Sequence, residues 1–99
     1  MAQSFLDNFD EVIHSPLRLA ICAFLNPVEA AEFAVVRESL GITDSALSKQ
    51  VRLLTDAGYL ASQKSPGRRP RTWLSLTARG RAAFAAHVEN LRRTLQLDG

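Results

Sequence analysis

The chain is nearly free of cysteine: its 99 residues hold one, Cys22. A lone thiol makes no intrachain disulfide and, by itself, no typical structural zinc site. Long apolar stretches are missing as well. The purely apolar runs last a few residues, against the roughly 20 that a membrane span needs. The first dozen residues turn acidic at Asp7, Asp10 and Glu11 before any apolar stretch forms, so they do not read as a signal peptide. There is no glycine-rich phosphate loop, internal repeat, low-complexity tract or interdomain linker. Ser45 and Ser48 lack any partnered His and Asp pattern, which leaves nucleophilic catalysis without support. His14 and His87 show neither metal-ligand nor acid-base spacing. These absences leave a single cytoplasmic domain over residues 1–99, without cofactor, metal or membrane association, that is not an enzyme.

What is present is ordinary globular composition, 46% hydrophobic and 22% charged, with a charge distribution that the net +2 conceals. Residues 1–43 carry Arg18 and Arg37 against Asp7, Asp10, Glu11, Glu29, Glu32 and Glu38, a net of −4. Residues 44–81 carry Lys49, Arg52, Lys64, Arg68, Arg69, Arg71, Arg79 and Arg81 against Asp44 and Asp56, a net of +6. Basic charge gathered in one contiguous stretch makes a local field suited to a polyanion.

Hydrophobic spacing places the elements. Phe5, Phe9, Val12 and Ile13 predict a short amphipathic helix. Ser15 as cap and Pro16 at the first helical position restart the chain. Leu17, Ala20, Ile21, Phe24 and Leu25 then mark a one-sided core helix that ends at Asn26-Pro27. A third helix is expected over about 30–40, carrying Phe33, Val36 and Leu40 on one face and stopping at Gly41. Thr43 is a good cap for the next helix, and Asp44 complements the positive end of its dipole. Leu47, Val51 and Leu54 form its stripe. Two helices joined by the three-residue turn Gly41-Ile42-Thr43 make a helix-turn-helix. Residues 59–64 and 71–77 read as two strands around the turn chemistry of Ser65-Pro-Gly-Arg-Arg-Pro70, with Leu74 and Leu76 inward and Trp73 and Ser75 outward. A last helix spans about 77–95 with the stripe Phe84, Val88, Leu91 and Leu95.

Helix, helix-turn-helix, basic hairpin, helix is the order of a winged helix-turn-helix domain. Three stretches resemble bacterial transcriptional regulators of the MarR and ArsR type. His14-Ser-Pro-Leu-Arg18-Leu-Ala-Ile21 is similar to their opening core helix. Leu40-Gly-Ile-Thr-Asp-Ser-Ala-Leu-Ser48 with Leu54-Thr-Asp-Ala-Gly-Tyr-Leu60 looks like their turn, recognition helix and start of the wing. Leu76-Thr-Ala-Arg-Gly80-Arg81 resembles the junction that closes a MarR-type wing. The likeness covers about residues 14–81. It departs from ArsR-type metal sensors, which place paired cysteines near the recognition region, and from the greater length of most MarR-type proteins. The implied fold is mostly α with a small β-hairpin: a winged helix-turn-helix over about 30–57 and 59–77, an added N-terminal helix, and a long C-terminal helix over 78–97 for dimerisation.

With Leu47, Val51 and Leu54 inward, Ser45, Lys49, Arg52 and Asp56 face the opposite side and Ser48 lies at its edge. Such a face suits the major groove, and the resemblance implies that Ser45, Ser48, Lys49 and Arg52 lie on the DNA side. Gln50, about 60° from the core stripe, ranks lower. Lys64, Arg68, Arg69 and Arg71 crowd a hairpin tip stiffened by Pro66 and Pro70. There they either reach phosphate or the minor groove, or protect a strand edge; four cations in eight positions exceed what edge protection requires.

The other conspicuous residues carry plainer readings. Cys22 packs as a small hydrophobe in preference to sensing redox state. His87 reads as a surface or interface histidine and Trp73 as packing. Arg79 and Arg81 are either phosphate contacts or solvated. Phe5, Phe9, Val12, Phe84, Val88, Leu91 and Leu95 exceed what a small winged core covers, which points to a homodimer interface rather than packing within one chain.

The expected function is a sequence-specific double-stranded-DNA-binding transcriptional regulator, a repressor in type, acting on a palindromic site. The alternative is a winged helix serving protein–protein contact, which the cations Lys49 and Arg52 disfavour. No small-molecule effector is identified by the sequence.

Overall fold

The computed structural model describes residues 10–95. In chain order these are α1 (Pro16–Leu25), β1 (Ala31–Glu32), α2 (Phe33–Leu40), α3 (Asp44–Asp56), β2 (Leu60–Lys64), β3 (Thr72–Leu76) and α4 (Ala78–Leu95). The three strands form one antiparallel sheet in the order β1-β3-β2. Four helices with a small antiparallel sheet are the winged helix fold.

Local chemistry sets the helix ends. The Ser15 hydroxyl accepts from the Arg18 amide, and Pro16 occupies the first turn of α1, where a missing N–H costs nothing. Gly41 closes α2 in the left-handed region at φ 67°, a conformation that glycine reaches without a Cβ penalty. The Thr43 hydroxyl then accepts from the Ala46 amide at 3.1 Å and starts α3. Thr77 joins wing to last helix: its hydroxyl donates to the Gly58 carbonyl at 2.7 Å and accepts from the Gly80 amide at 2.9 Å.

The core is Ile13, Ile21, Cys22, Leu25, Val36, Leu47, Leu54, Leu60, Leu74 and Leu76, one contiguous cluster drawn from the helices and the sheet. Leu47 and Leu54 of the predicted α3 stripe are fully buried and Val51 is half-buried. Leu74 and Leu76 point inward while Trp73 is exposed, as strand alternation requires.

Four expectations need correction. The third helix starts at Phe33 rather than near residue 30, because Ala31 and Glu32 pair with Leu74 and Trp73 as a third strand. At the N-terminus, Glu11–Ile13 is a turn and not the end of a helix: the Asp10 carboxylate accepts from the amides of Val12 at 2.9 Å and Ile13 at 3.2 Å. Phe5 and Phe9 lie outside the described residues. His87 is not at the surface; it is 1% exposed, with its Nε2 3.3 Å from the Nδ1 of His14. Arg81 is neither a free cation nor merely solvated, since its guanidinium donates to the carbonyls of Asn26 at 2.5 Å and Val28 at 2.9 Å.

The apolar stripe of α4 divides accordingly. Phe84 packs against this chain's own core, as does Val12 from the N-terminal turn. Leu91 is half-buried beside His14, Ser15, Pro16 and Leu19. Val88 and Leu95 stay exposed.

Candidate nucleic-acid interface

Ser45, Ser48, Lys49 and Arg52 are exposed on α3, and Lys64, Arg68, Arg69 and Arg71 are exposed on the hairpin and its tip. Two short bonds close that tip: the Ser65 amide donates to the Arg71 carbonyl at 2.9 Å, and the Arg71 amide to the Ser65 hydroxyl at 3.4 Å. Residues 66–70, with two prolines and two arginines, project beyond this closure.

Ion pairs sort the cations. Arg37, in the last turn of α2, donates to Asp44 at 2.6 Å and to Glu38 at 3.2 Å, and the Asp44 bond raises its pKa further above the usual range. Arg37 thereby ties the two helices of the helix-turn-helix together. Arg71 lies 3.4 Å from Glu32 on β1, a solvent-exposed pair of small energetic weight. Lys49, Arg52, Lys64, Arg68 and Arg69 make no ion pair among the described residues, so their charge is available to a ligand.

Gln50 is not free to read a base edge through its carbonyl. Its Oε1 accepts from Arg18 Nη1 at 2.8 Å, and Arg18 Nε also donates to the Val12 carbonyl. Arg18 therefore fastens the recognition helix to α1 and the N-terminal turn. The sequence signals nothing of this link, because the partners are 32 residues apart.

Between α3 and the hairpin runs an open cleft of about 510 Å³. Phe33, Val51 and Leu74 supply its apolar lining; Ser48, Arg52, Thr55 and Asp56 come from α3, and Ser62 and Thr72 from the strands. Thr55, Ser62 and Thr72 were not among the residues predicted to face a ligand. Strand alternation carries a faint signal for two of them, since Ser62 and Thr72 share the inward face with Leu74.

Among the described residues no cluster of His, Cys, Asp and Glu is able to hold a metal ion, and no helix is long and apolar enough to cross a membrane. Burial of Cys22 pushes its thiol up to about 11, so the reactive thiolate is suppressed at neutral pH.

A family model described as a winged helix DNA-binding domain matches residues 17–95. The chain belongs to that family. It is 30% identical over 79 residues to an uncharacterized protein of Methanocaldococcus jannaschii, covering 79% of this chain and 86% of the relative. Its fold matches a transcriptional regulator homologue from Pyrococcus horikoshii with a TM-score of 0.85 and 26% identity, over 88% of this chain and 87% of that one. The PcaV transcriptional regulator of Streptomyces coelicolor shares the fold at a TM-score of 0.75 and 24% identity, over 94% and 65% of the two chains. These neighbours share the winged helix fold that the turn, recognition-helix and wing-closing motifs implied. The family makes this chain a winged helix DNA-binding domain, and both solved neighbours carry that fold as a transcriptional regulator or its homologue.

Proposed function

We propose that the chain is a sequence-specific repressor that binds a palindromic duplex site as a homodimer and occludes a promoter. The recognition helix, with Ser45, Ser48, Lys49 and Arg52, enters the major groove. The wing, with Lys64, Arg68, Arg69 and Arg71, lies on phosphate or in the adjacent minor groove. One observation carries the reading: Lys49 and Arg52 on α3 and Lys64, Arg68 and Arg69 on the hairpin are exposed and make no ion pair among the described residues. Val88 and Leu95, exposed on α4, support a second copy as partner, with Phe5, Phe9, Val12, Phe84 and Leu91 as the remaining candidate interface residues. A two-fold dimer matches a two-fold operator.

Selection from a random duplex pool tests specificity, and titration of the selected duplex against salt tests the electrostatics. A dimer that neutralises about six to ten phosphates loses roughly 10³–10⁵-fold in affinity between 50 and 200 mM salt. No enrichment together with salt-independent binding would point instead to a protein–protein module.

A further inference from the structure

In B-DNA a phosphodiester strand separates each major groove from the next minor groove. A protein that puts a helix in one and a hairpin in the other must straddle that strand. The cleft between α3 and the hairpin is lined by both elements, and its chemistry is that of a phosphate seat. Ser48 and Arg52 stand on one wall, one helical turn apart; Ser62 and Thr72 stand on the other. Lys64 is directly opposite Thr72 in the ladder, on the same face of the sheet. Thr43 and Thr77 spend their hydroxyls on helix caps, whereas those of Ser48, Ser62 and Thr72 have no hydrogen-bond partner among the described residues. The lone carboxylate of the cleft, Asp56, is eight residues beyond Ser48, about 12 Å along the helix axis. It repels phosphate from its own end and leaves the Ser48–Thr72 end as the favourable one.

We infer that this cleft grips the phosphodiester strand between the two grooves, with Ser48, Arg52, Ser62 and Thr72 as its phosphate contacts, so that base reading falls to Ser45 and Lys49. The inference rests on the duplex reading above and divides the recognition helix in two. Ser48 and Arg52 line the cleft. Ser45 and Lys49, on the solvent side of the same helix, are not part of its lining. The contacts in the cleft position the protein; those outside it specify sequence.

The test uses the full chain and two 30-base-pair duplexes, one recovered by selection from a random pool and one of unselected sequence. Thr72→Val combined with Ser62→Ala removes two neutral donors. It is expected to weaken both duplexes by at least about tenfold, the weight of one hydrogen bond to a charged oxygen, without altering the salt slope. Arg52→Ala is expected to weaken both duplexes and to lower the salt slope by about one per bound subunit, leaving base preference as it was. Lys49→Ala is expected to change the selected sequence. Circular dichroism checks that each variant is folded. If the wild type binds neither duplex, the DNA reading falls and the cleft assignment with it. If the wild type binds while the double hydroxyl variant binds equally well, or Arg52→Ala changes the preferred bases, the cleft assignment alone is overturned.

Discussion

At Gly80 an added Cβ would stand 2.0 Å from the Tyr59 carbonyl oxygen, a backbone atom that cannot swing aside. Alanine ordinarily gains about 1 kcal/mol over glycine inside a helix. Here the contact reverses that sign, because α4 has to back away from the start of β2. Gly80→Ala is expected to lower stability by at least about 1–3 kcal/mol in urea unfolding, as overpacking does. The sequence shows Gly80 only as a motif letter beside Thr77; the reason for it lies across the fold. Cys22 is the opposite case, legible from the start as a small core residue. With its thiol pushed up to about 11 and no exposure, it should resist iodoacetamide in the folded protein and react once guanidinium unfolds the chain. Rapid modification of the native form would restore a redox role. The buried His87 was not legible, since an Ala-rich helix with a polar ring at one position gives no hint of which way that ring faces.

The helices and the hairpin were readable because capping residues and hydrophobic period mark them in a local window. Ser15-Pro16, Gly41 and Thr43 each stand where the caps are. Strand β1 escaped because two residues have no period, and its pairing with Leu74 and Trp73 is a tertiary event. The junction of α4 with the turn before α1 escaped for a similar reason, and it has its own pH signature. Burial holds the His87 pKa below the ordinary value, His14 lowers it further, and Asp10 opposes with a smaller upward pull. The unfolded chain therefore takes up the proton more readily than the folded one. The stability associated with a neutral His87 is whole above the ordinary histidine value of about 6.5 and is lost as pH falls through the folded pKa. Urea midpoints measured at pH 7.5 and pH 5.5 should fall more for the wild type than for His87→Asn. Equal falls would show that His87 does not carry this dependence. Arg18 is the other long-range tie, and Arg18→Met, which keeps the apolar stem and loses both bonds, should cost about 1–3 kcal/mol.

On the scale of the whole molecule, the single chain leaves Val88 43% exposed and Leu95 62% exposed on α4. Because both are open in the protomer, Val88→Glu with Leu95→Glu leaves the winged core nearly untouched; surface changes of this kind stay within about 0.5 kcal/mol each. In a subunit seam the same carboxylates would lose water without gaining a partner, at a cost of several kcal/mol per ion. The two situations separate cleanly in sedimentation. The wild type is expected at twice the chain mass and the double variant at the chain mass, with unchanged helical circular dichroism in both. The consequence for DNA follows from geometry. A monomer carries one recognition helix and one wing, so it loses the second half-site, centred about 10–10.5 base pairs away or a multiple of that distance. Its affinity for a selected palindrome should collapse toward that for an unselected duplex, while weak salt-dependent binding through Lys49, Arg52 and the wing arginines persists. A variant that keeps twice the chain mass and full affinity for the palindrome would move the seam away from the distal face of α4.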